Sequence, residues 1–346
     1  MKAYFYRITT LTCIGLLMIN TGTKAQDALE KRVDALEKIV KRLPTISGLI
    51  NLRYQDLYYQ ESALRSGNWN TFDIRRARLD FKGNFSAFDY RLQLELAGSP
   101  KVLDAYLVWK ALPCLNVQAG EFKVPFSLEN PYSPTALETI DNSLIISRMV
   151  GYNDFAGVNA NGRDIGLAVN GGFLERNGSP VITYNIGIFN GSGINTTDNN
   201  KAKDFSGILT VNPLNGVTLS GSYYHGALPP QAGDSYRRRR VGFGARYADD
   251  RWLFRGEYIA GKTRSQRSEG YYLVGAYNIC NGLQALLKHE YLKQNMDVDN
   301  SGLAYYTIGG NYSPVKNLRL MLNYSYRVTG DATETLYLSA QIMVSF

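Results

Sequence analysis

Arginine and lysine side chains recur at every second position in several extended segments of this 346-residue chain. In the segment from 70 to 84, Arg76, Arg78 and Lys82 share one parity with Asp80. A guanidinium group binds an oxyanion through two parallel hydrogen bonds, and a ring of cations around an opening favours anions. These residues predict an anion-binding or anion-conducting surface. The candidates are Arg76, Arg78, Lys82, Arg91, Lys123, Arg148, Arg163, Arg240, Arg246, Arg319 and Arg327.

A second interpretation of the same basic residues is that they pair with carboxylates and only satisfy one another. Both interpretations stay open at this point. The run of four arginines at 237–240 is a separate case, because strand alternation sends only two of them to either face. That run predicts a solvated rim, or a contact with anions or acidic lipopolysaccharide. The carboxylates available for pairing are Asp80, Asp89, Glu95, Asp104, Glu121, Glu257 and Glu290.

Residues suited to covalent chemistry are sparse. The chain has two histidines, His225 and His289, and His289 precedes Glu290 on a predicted strand, so the two side chains point to opposite faces. We find no nucleophile motif, no Cys-x-x-Cys, no glycine loop that would cradle a phosphate and no zinc-ligand spacing. We therefore expect a protein that is not an enzyme and that uses neither metal nor cofactor.

The elements that must position the charged side chains are strands. Apolar and mostly polar residues alternate from Glu334 to Phe346, and sixteen such segments lie between 45 and 346. Short and long connections alternate between them, as periplasmic turns and extracellular loops do. A sheet crosses lipid only if it closes on itself, because an open edge leaves backbone groups unpaired. The sequence predicts an all-β, transmembrane antiparallel β-barrel of about 16 strands.

Parity also assigns the faces of individual segments. A change of parity in the second segment predicts a bulge near Arg75. In the fifth segment, Glu121 and Lys123 are predicted to face the lumen. The connection 126–162 is far longer than its strands need, which is typical of a functional loop, and 135–146 within it has room for a helical turn or two. The residues of the fifth segment predicted to face lipid are Phe122, Val124 and Phe126.

The first 25 residues have the features of a secretory signal peptide. A positive region is followed by an apolar stretch too short to span a bilayer and by small residues at 23–25. Without residues 1–25 the chain carries 35 basic and 30 acidic residues. This excess does not indicate a nucleic-acid binder, but it is compatible with a weakly anion-favouring lumen. Cys114 and Cys280 then remain, and whether they form a disulfide is open.

Residues 26–44 precede the predicted barrel domain of 45–346. Their apolar residues are spaced 4, 3, 4, 3 and are flanked by charges, which predicts a short periplasmic coiled coil, three-stranded if the barrel is a trimer. The alternative is an amphipathic helix that lies on another surface. The residues of this proposed trimerisation seam are Leu29, Val33, Leu36, Val40 and Leu43.

Several motifs together resemble the phosphate-selective porin O/P family over nearly the whole chain after the signal. The most specific is the run from Gly120 to Glu129, GEFKVPFSLE. The others are Ile74-Arg-Arg-Ala-Arg78-Leu, Leu103-Asp-Ala-Tyr106, Gly162-Arg-Asp-Ile-Gly166 and Tyr184-Asn-Ile-Gly-Ile-Phe-Asn-Gly191.

The resemblance implies a sixteen-stranded, trimeric porin in the outer membrane of a Gram-negative bacterium, with loop 126–162 folded into the lumen as the third loop. It implies passive diffusion of small anions such as phosphate or polyphosphate, contacts with outer-membrane lipid and lipopolysaccharide, and a barrel insertion signal at Phe346 read by the assembly machinery. The alternatives are a general or nutrient-specific porin and a structural or adhesive barrel with a plugged pore. The loop departs from the basic loop of well-understood members, because Arg148 stands against Glu129, Glu138, Asp141 and Asp154.

Overall fold

Alternation of side chains along the chain produces sixteen strands in the computed structural model. The strands are β1 Thr45–Gln60, β2 Trp69–Phe85, β3 Phe88–Glu95, β4 Lys101–Leu112, β5 Leu115–Lys123, β6 Arg163–Arg176, β7 Ser179–Phe189, β8 Asp204–Val211, β9 Val217–Ala227, β10 Arg237–Ala248, β11 Trp252–Thr263, β12 Gln266–Cys280, β13 Leu283–Lys293, β14 Gly302–Val315, β15 Leu318–Thr329 and β16 Glu334–Ser345. The structure describes residues 31–33, 43–60, 69–198, 200–228, 237–330 and 334–346.

The sheet closes on itself. Every strand pairs antiparallel with its sequence neighbours, and β1 pairs with β16 from Leu49 opposite Ser345 to Gln60 opposite Glu334. The register between β1 and β2 shifts after Asn51, which confirms the bulge at Arg75. Closure pairs the backbone groups that the edges of an open sheet would leave free. The predicted antiparallel barrel of sixteen strands is therefore confirmed.

The outer face of the barrel is apolar and the inner face is charged. In β10 the exposed side chains include Val241 and Phe243, whereas Arg238 and Arg240 on the opposite parity are each only 4% exposed. Exposed aromatic rings form a belt near each rim, as in barrels that sit in lipid. Rings near the periplasmic rim are Trp109, Tyr247 and Trp252, and rings nearer the other rim are Tyr258 and Tyr306.

The segment between β5 and β6, residues 124–162 and here called the lumen loop, folds into the barrel and carries helix α1, Leu144–Met149. A helical turn was expected earlier in the segment, at 135–146. The loop confirms the predicted inward fold, since its buried residues pack against inward side chains such as Tyr224 and Tyr272. None of the helices among the described residues is long and apolar enough to cross a membrane.

The prediction of faces in β5 is wrong for two aromatic residues. Phe122 is 3% exposed and packs on Tyr106 and Phe189, while Phe126 is 2% exposed and belongs to the apolar cluster beneath the lumen loop. The lumen is partly dry here because the loop fills it, so inward aromatics find apolar partners. Glu121 was expected in the lumen but lies opposite the exposed Ala105.

The carboxylate of Glu121 accepts hydrogen bonds of 2.7 Å from the backbone and the side-chain amide of Asn195, in the connection between β7 and β8. This carboxylate is thus satisfied by the connection between β7 and β8. Both cysteines are free thiols, one in the β4–β5 turn and the other at the end of β12.

The chain divides into two compact units, Met1–Pro44 and Thr45–Phe346. In the first unit, residues 31–33 are helical, and Val33 and Leu43 are exposed. Leu29, Leu36 and Val40 lie outside the described residues, as does the whole of the predicted signal peptide. The coiled-coil segment 26–44 and the signal peptide 1–25 therefore stay predictions.

Candidate functional site

Apolar packing fixes the lumen loop on one side of the barrel. Ile145 and Ile146 of α1 are 0% exposed and pack in a cluster with Tyr272 of β12 and Tyr224 of β9. Ring centroids of Phe126 and Tyr224 lie 6.0 Å apart in an edge-to-face arrangement. Such a cluster leaves no room for water between the loop and the strands against which it packs.

Glu257 of β11 holds the start of the loop. Its carboxylate accepts hydrogen bonds from the Ser127 hydroxyl at 2.9 Å and from the backbone amides of Leu128 at 2.9 Å and Glu129 at 3.3 Å. Three donors from consecutive residues satisfy one buried acidic group, as buried polar groups require. The sequence interpretation of Glu257 as a partner for a lumen arginine is therefore replaced by a bond to the loop backbone.

A buried ion pair holds the end of the loop. The Arg240 guanidinium of β10 donates to both carboxylate oxygens of Asp154, at 2.5 and 2.6 Å, and also to the carbonyl of Met149. Burial alone would raise the pKa of the Asp154 carboxyl, but the charge and hydrogen bonds of Arg240 hold that pKa below its usual range. The aspartate is thus an anion at neutral pH and fixes the loop electrostatically.

Arg255 of β11 joins two acidic residues of the loop to the wall. Its guanidinium lies 3.3 Å from a Glu129 oxygen and 2.6 Å from a Glu138 oxygen, and all three side chains are buried. The same guanidinium lies 4.8 Å from the Tyr132 ring centroid. Arg255 was not among the residues predicted from the sequence, although its parity in β11 matches that of Glu257, which is the signal for an inward side chain.

The middle of the loop reaches the opposite wall. Arg319 of β15 donates hydrogen bonds of 3.0 Å to the carbonyls of Thr135 and Leu137, and Asn323 accepts one of 2.9 Å from the Ile140 amide. Asp141 forms ion pairs with Arg75 of β2 and, at 3.7 Å, with Arg53 of β1. The loop therefore contacts wall strands on several sides of the lumen.

A cavity of about 270 Å³ lies between the loop and the wall. The wall side comes from β2 and β13–β16, and hydroxyl, amide and phenol groups dominate both sides. Five charged residues line it, and four of them are paired: Arg75 with Asp141, and Lys288 with Glu290 at 3.2 Å. The charged side chains around the cavity are Arg75, Asp141, Lys288, Glu290 and Arg327.

Arg327 is the exception in this cavity. Its guanidinium carbon lies 3.8 Å from the Tyr337 ring centroid and 4.8 Å from that of Tyr305. Within the part of the barrel that the structure describes, no carboxylate comes within 4 Å of it, and its Nε has no hydrogen-bond partner. Aromatic faces stabilise a cation without neutralising its charge. Arg327 therefore projects a net positive charge into this cavity.

The other basic residues singled out from the sequence fall into two groups. Five form ion pairs with carboxylates: Arg78 with Glu95 at 2.7 Å, Lys82 with Asp80 at 2.9 Å, Arg91 with Asp80 at 2.8 Å, Arg163 with Asp104 at 2.8 Å, and Arg240 with Asp154. For these, the pairing interpretation describes the geometry.

The second group binds neutral acceptors or none. Lys123 donates to the carbonyls of Asn130 and Tyr132 at 2.6 and 2.7 Å, and Arg148 donates to the Gln294 amide oxygen at 3.1 Å. Arg76 is buried beside the side-chain amide of Asn51, whose oxygen accepts a hydrogen bond of 3.2 Å from the Arg76 guanidinium. Arg246 is half-buried in β10 and makes no ion pair with a described residue, and Arg319 binds the loop carbonyls.

Sequence reasoning missed three cations that matter here: Arg75, Arg255 and Lys288. Arg75 sits at the bulge, where alternation fails, so parity cannot assign its side. Lys288 has the same parity as the acidic Glu290 two positions along β13, and this parity was a usable signal for an inward side chain. In the described residues, no three His, Cys, Asp or Glu side chains are grouped as metal ligands.

The model of the family described as phosphate-selective porin O and P matches residues 46–277. That range covers more than half of the chain and includes β1–β11 and the whole lumen loop. No curated protein sequence matches the chain significantly.

Solved structures share the fold at low identity. An anion-selective porin from Comamonas acidovorans has a TM-score of 0.68 at 13% identity, over 88% of this chain and 99% of that one. OprB of Pseudomonas putida has a TM-score of 0.69 at 10% identity, over 90% of this chain and 96% of that one. The trimer form of OmpT of Vibrio cholerae has a TM-score of 0.61 at 11% identity, over 88% of this chain and 100% of that one. At such identities the likeness establishes the barrel and its connectivity alone.

Proposed function

Since the chain belongs to the phosphate-selective porin O and P family and is an outer-membrane porin of a Gram-negative bacterium, we propose that it conducts small solutes passively with a modest preference for anions. The observation that carries this proposal is Arg327, a cation without a carboxylate partner in the cavity of about 270 Å³ beside the lumen loop. A net charge at a constriction selects by sign, because every permeating ion must pass it.

The same cavity argues against tight phosphate binding. A strong phosphate site needs several donors that are free to converge on one anion. Arg75 and Lys288 already serve Asp141 and Glu290, and the rings of Tyr305 and Tyr337 flank the remaining guanidinium. We therefore propose that phosphate passes as one small anion among others, and that neutral polar solutes use the hydroxyl and amide lining.

Reversal potentials test this proposal. The protein, reconstituted in planar bilayers under a KCl gradient, should be weakly anion-selective, and Arg327→Gln should move the reversal potential toward zero. The matched control is Arg78→Gln with Glu95→Gln, which deletes a complete ion pair and should leave selectivity unchanged. A reversal potential that does not respond to Arg327→Gln would refute the role of this residue.

Phosphate titration separates anion preference from phosphate specificity. Addition of millimolar phosphate should reduce the chloride current only in proportion to its share of the anions. Block of the chloride current at micromolar phosphate would instead establish a binding site and overturn the proposal of weak selectivity. Absence of any conductance would favour the plugged, structural barrel.

We also propose a homotrimer. A groove of about 820 Å³ crosses the outer face of β1, β2 and β14–β16, and it exposes Phe72 by 82% and Ile74 by 59%. Such apolar surface suits either lipid or a neighbouring subunit, and OmpT of Vibrio cholerae, which shares the fold, was solved in a trimer form. The coiled coil at 26–44, the signal peptide at 1–25 and the recognition of Phe346 by the barrel-assembly machinery belong to the same proposal.

A further inference from the structure

Basic residues form a continuous ladder on the outer face of four adjacent strands. His225 of β9 lies directly opposite Arg239 of β10, Arg239 lies opposite Lys262 of β11, and Lys262 lies opposite Arg267 of β12. Because the side chains of directly opposite residues point to the same face, all four project outward. This ladder, His225–Arg239–Lys262–Arg267, uses one of the two outward arginines of the 237–240 run.

The centre of the ladder lacks a compensating acid. Arg239 donates from Nε to Nδ1 of His225 at 3.3 Å, and neither Arg239 nor Lys262 forms an ion pair with a described residue. Arg267 is paired with Asp297 at 2.6 Å. The nearest outward acid on the lower side, Glu269, accepts a hydrogen bond from the Tyr258 phenol at 2.7 Å. Like charges on directly opposite residues destabilise a sheet, so an external anion bound between Arg239 and Lys262 would stabilise this pair of strands.

The ladder lies where the apolar band of the barrel ends. On β11, Lys262 is ten residues from Trp252, the ring near the periplasmic rim. At about 3.3 Å per residue and a strand tilt of about 40°, this spacing corresponds to a height of about 25 Å. An apolar band of a transmembrane barrel is also about 25 Å tall. Lys262 and Arg239 therefore stand at the level of outer-leaflet headgroups.

A depression in the outer wall begins four residues below the ladder. Its volume is about 1310 Å³, and it runs across the outer faces of β9–β15. Outward positions occupied by glycine make it possible: a Cβ at Gly256 would come within 2.6 Å of Leu273, and one at Gly275 within 3.4 Å of Phe254. Its upper limit on β11 is Tyr258, four residues below Lys262.

We propose that this surface binds a phosphorylated lipid of the outer leaflet. A lipid phosphate would bridge Arg239 and Lys262, and an acyl chain would lie in the apolar depression. Arginine and lysine both bind phosphate, the first through its planar fork and the second as a point charge. The position of headgroup-level cations above an apolar groove favours a lipid over free phosphate, because free phosphate would gain nothing from the groove. The proposal concerns the outer wall and is independent of conduction.

Native mass spectrometry in detergent tests the proposal, with bisphosphorylated lipid A as the probe. The wild type should retain bound lipid, and Arg239→Gln with Lys262→Gln should weaken binding roughly thirtyfold, as expected for two basic groups near a membrane surface. The charge-conserving variant Arg239→Lys with Lys262→Arg should retain binding. The matched control is Arg251→Gln with Lys316→Gln, which removes two exposed charges from the periplasmic turns.

Three results would overturn the proposal. One is equal binding by wild type and the Arg239/Lys262 double glutamine variant. Another is an equal loss in the Arg251/Lys316 control, which would indicate unspecific attraction by net charge. The third is displacement of the lipid by inorganic phosphate at equal concentration, since it would show that the groove contributes nothing. Conductance and reversal potential should be the same in all variants, so failure here is distinguishable from failure of the proposed channel function.

Discussion

Replacing Asp154 with asparagine should release the end of the lumen loop from β10. The carboxylate is fully buried, and both of its oxygens bind the Arg240 guanidinium. Removing one partner of a buried ion pair costs about 3–5 kcal/mol, because the other charge stays buried without compensation. At about 1.4 kcal/mol per factor of ten, the ratio of docked to undocked loop should fall by about 100-fold to 4000-fold.

Single-channel recording is the assay. The docked loop occupies part of the lumen and borders the cavity beside Arg327, so an undocked loop should appear as excursions to a larger conductance. The wild type should show them rarely at neutral pH and Asp154→Asn frequently. Asp297→Asn, which breaks the exposed pair with Arg267, should leave the record unchanged, because exposed pairs contribute little. Heat-modifiable migration in gels confirms that each variant is folded.

The pH dependence gives the sign of the effect. Because the pKa of Asp154 is below its usual range in the folded protein, docking is stabilised by this carboxylate above pH 4 or so and is weakened as the pH falls through the lowered pKa. The wild type at low pH should therefore approach the behaviour that Asp154→Asn shows at neutral pH. Identical records for the variant and the wild type at pH 7 would refute the claim that this ion pair holds the loop.

Three further outcomes are expected. Gly120→Ala should lower the urea midpoint of unfolding far more than Gly98→Ala. Gly120 has a φ of +129°, and a Cβ there would lie 2.1 Å from a carbonyl oxygen of β4, whereas Gly98 has open space around it. Equal midpoints would contradict this, because backbone strain alone, which costs about 1–3 kcal/mol, would then explain both variants. Cys114 and Cys280 should each take one alkyl group without reductant, by mass spectrometry, because six strands separate β5 from β12. Deletion of 27–43 should lower the dissociation temperature of the SDS-resistant oligomer; no change would leave that segment without a role in assembly.

The strands were predictable because period-2 alternation is a local property with a strong physical cause. In β10, apolar residues at 241, 243 and 245 meet lipid, and arginines at 238 and 240 are buried inside. From alternation alone β6 would be expected to end at 172, but it continues to Arg176, because β6 and β7 extend together beyond the apolar band. Alternation indicates which residues of a strand contact lipid, but it does not indicate how far the strand extends outside the lipid.

The face of β5 was not predictable in the same way. Phe122 and Phe126 have the residue type of a lipid face but pack inside, because the lumen loop brings apolar partners such as Ile145 into the barrel. The loop's position depends on contacts between residues more than one hundred positions apart, for example Leu128 with Glu257. No local pattern encodes such contacts, so the loop's anchors could not be derived from the chain order.

The same limit explains why counting lumen arginines overstates anion selectivity. A single charge 4 Å from an ion contributes about 4 kcal/mol at an effective dielectric constant of 20, and an opposite charge 3 Å farther away offsets about 2.4 kcal/mol of it. Arg75 and Lys288 are offset in this way by Asp141 and Glu290, whereas Arg327 is flanked by rings that leave its charge intact. Since the loop supplies Asp141, docking itself neutralises part of the wall. Selectivity should therefore depend on the few unpaired cations that border the opening, and Arg327 is the one that the geometry identifies.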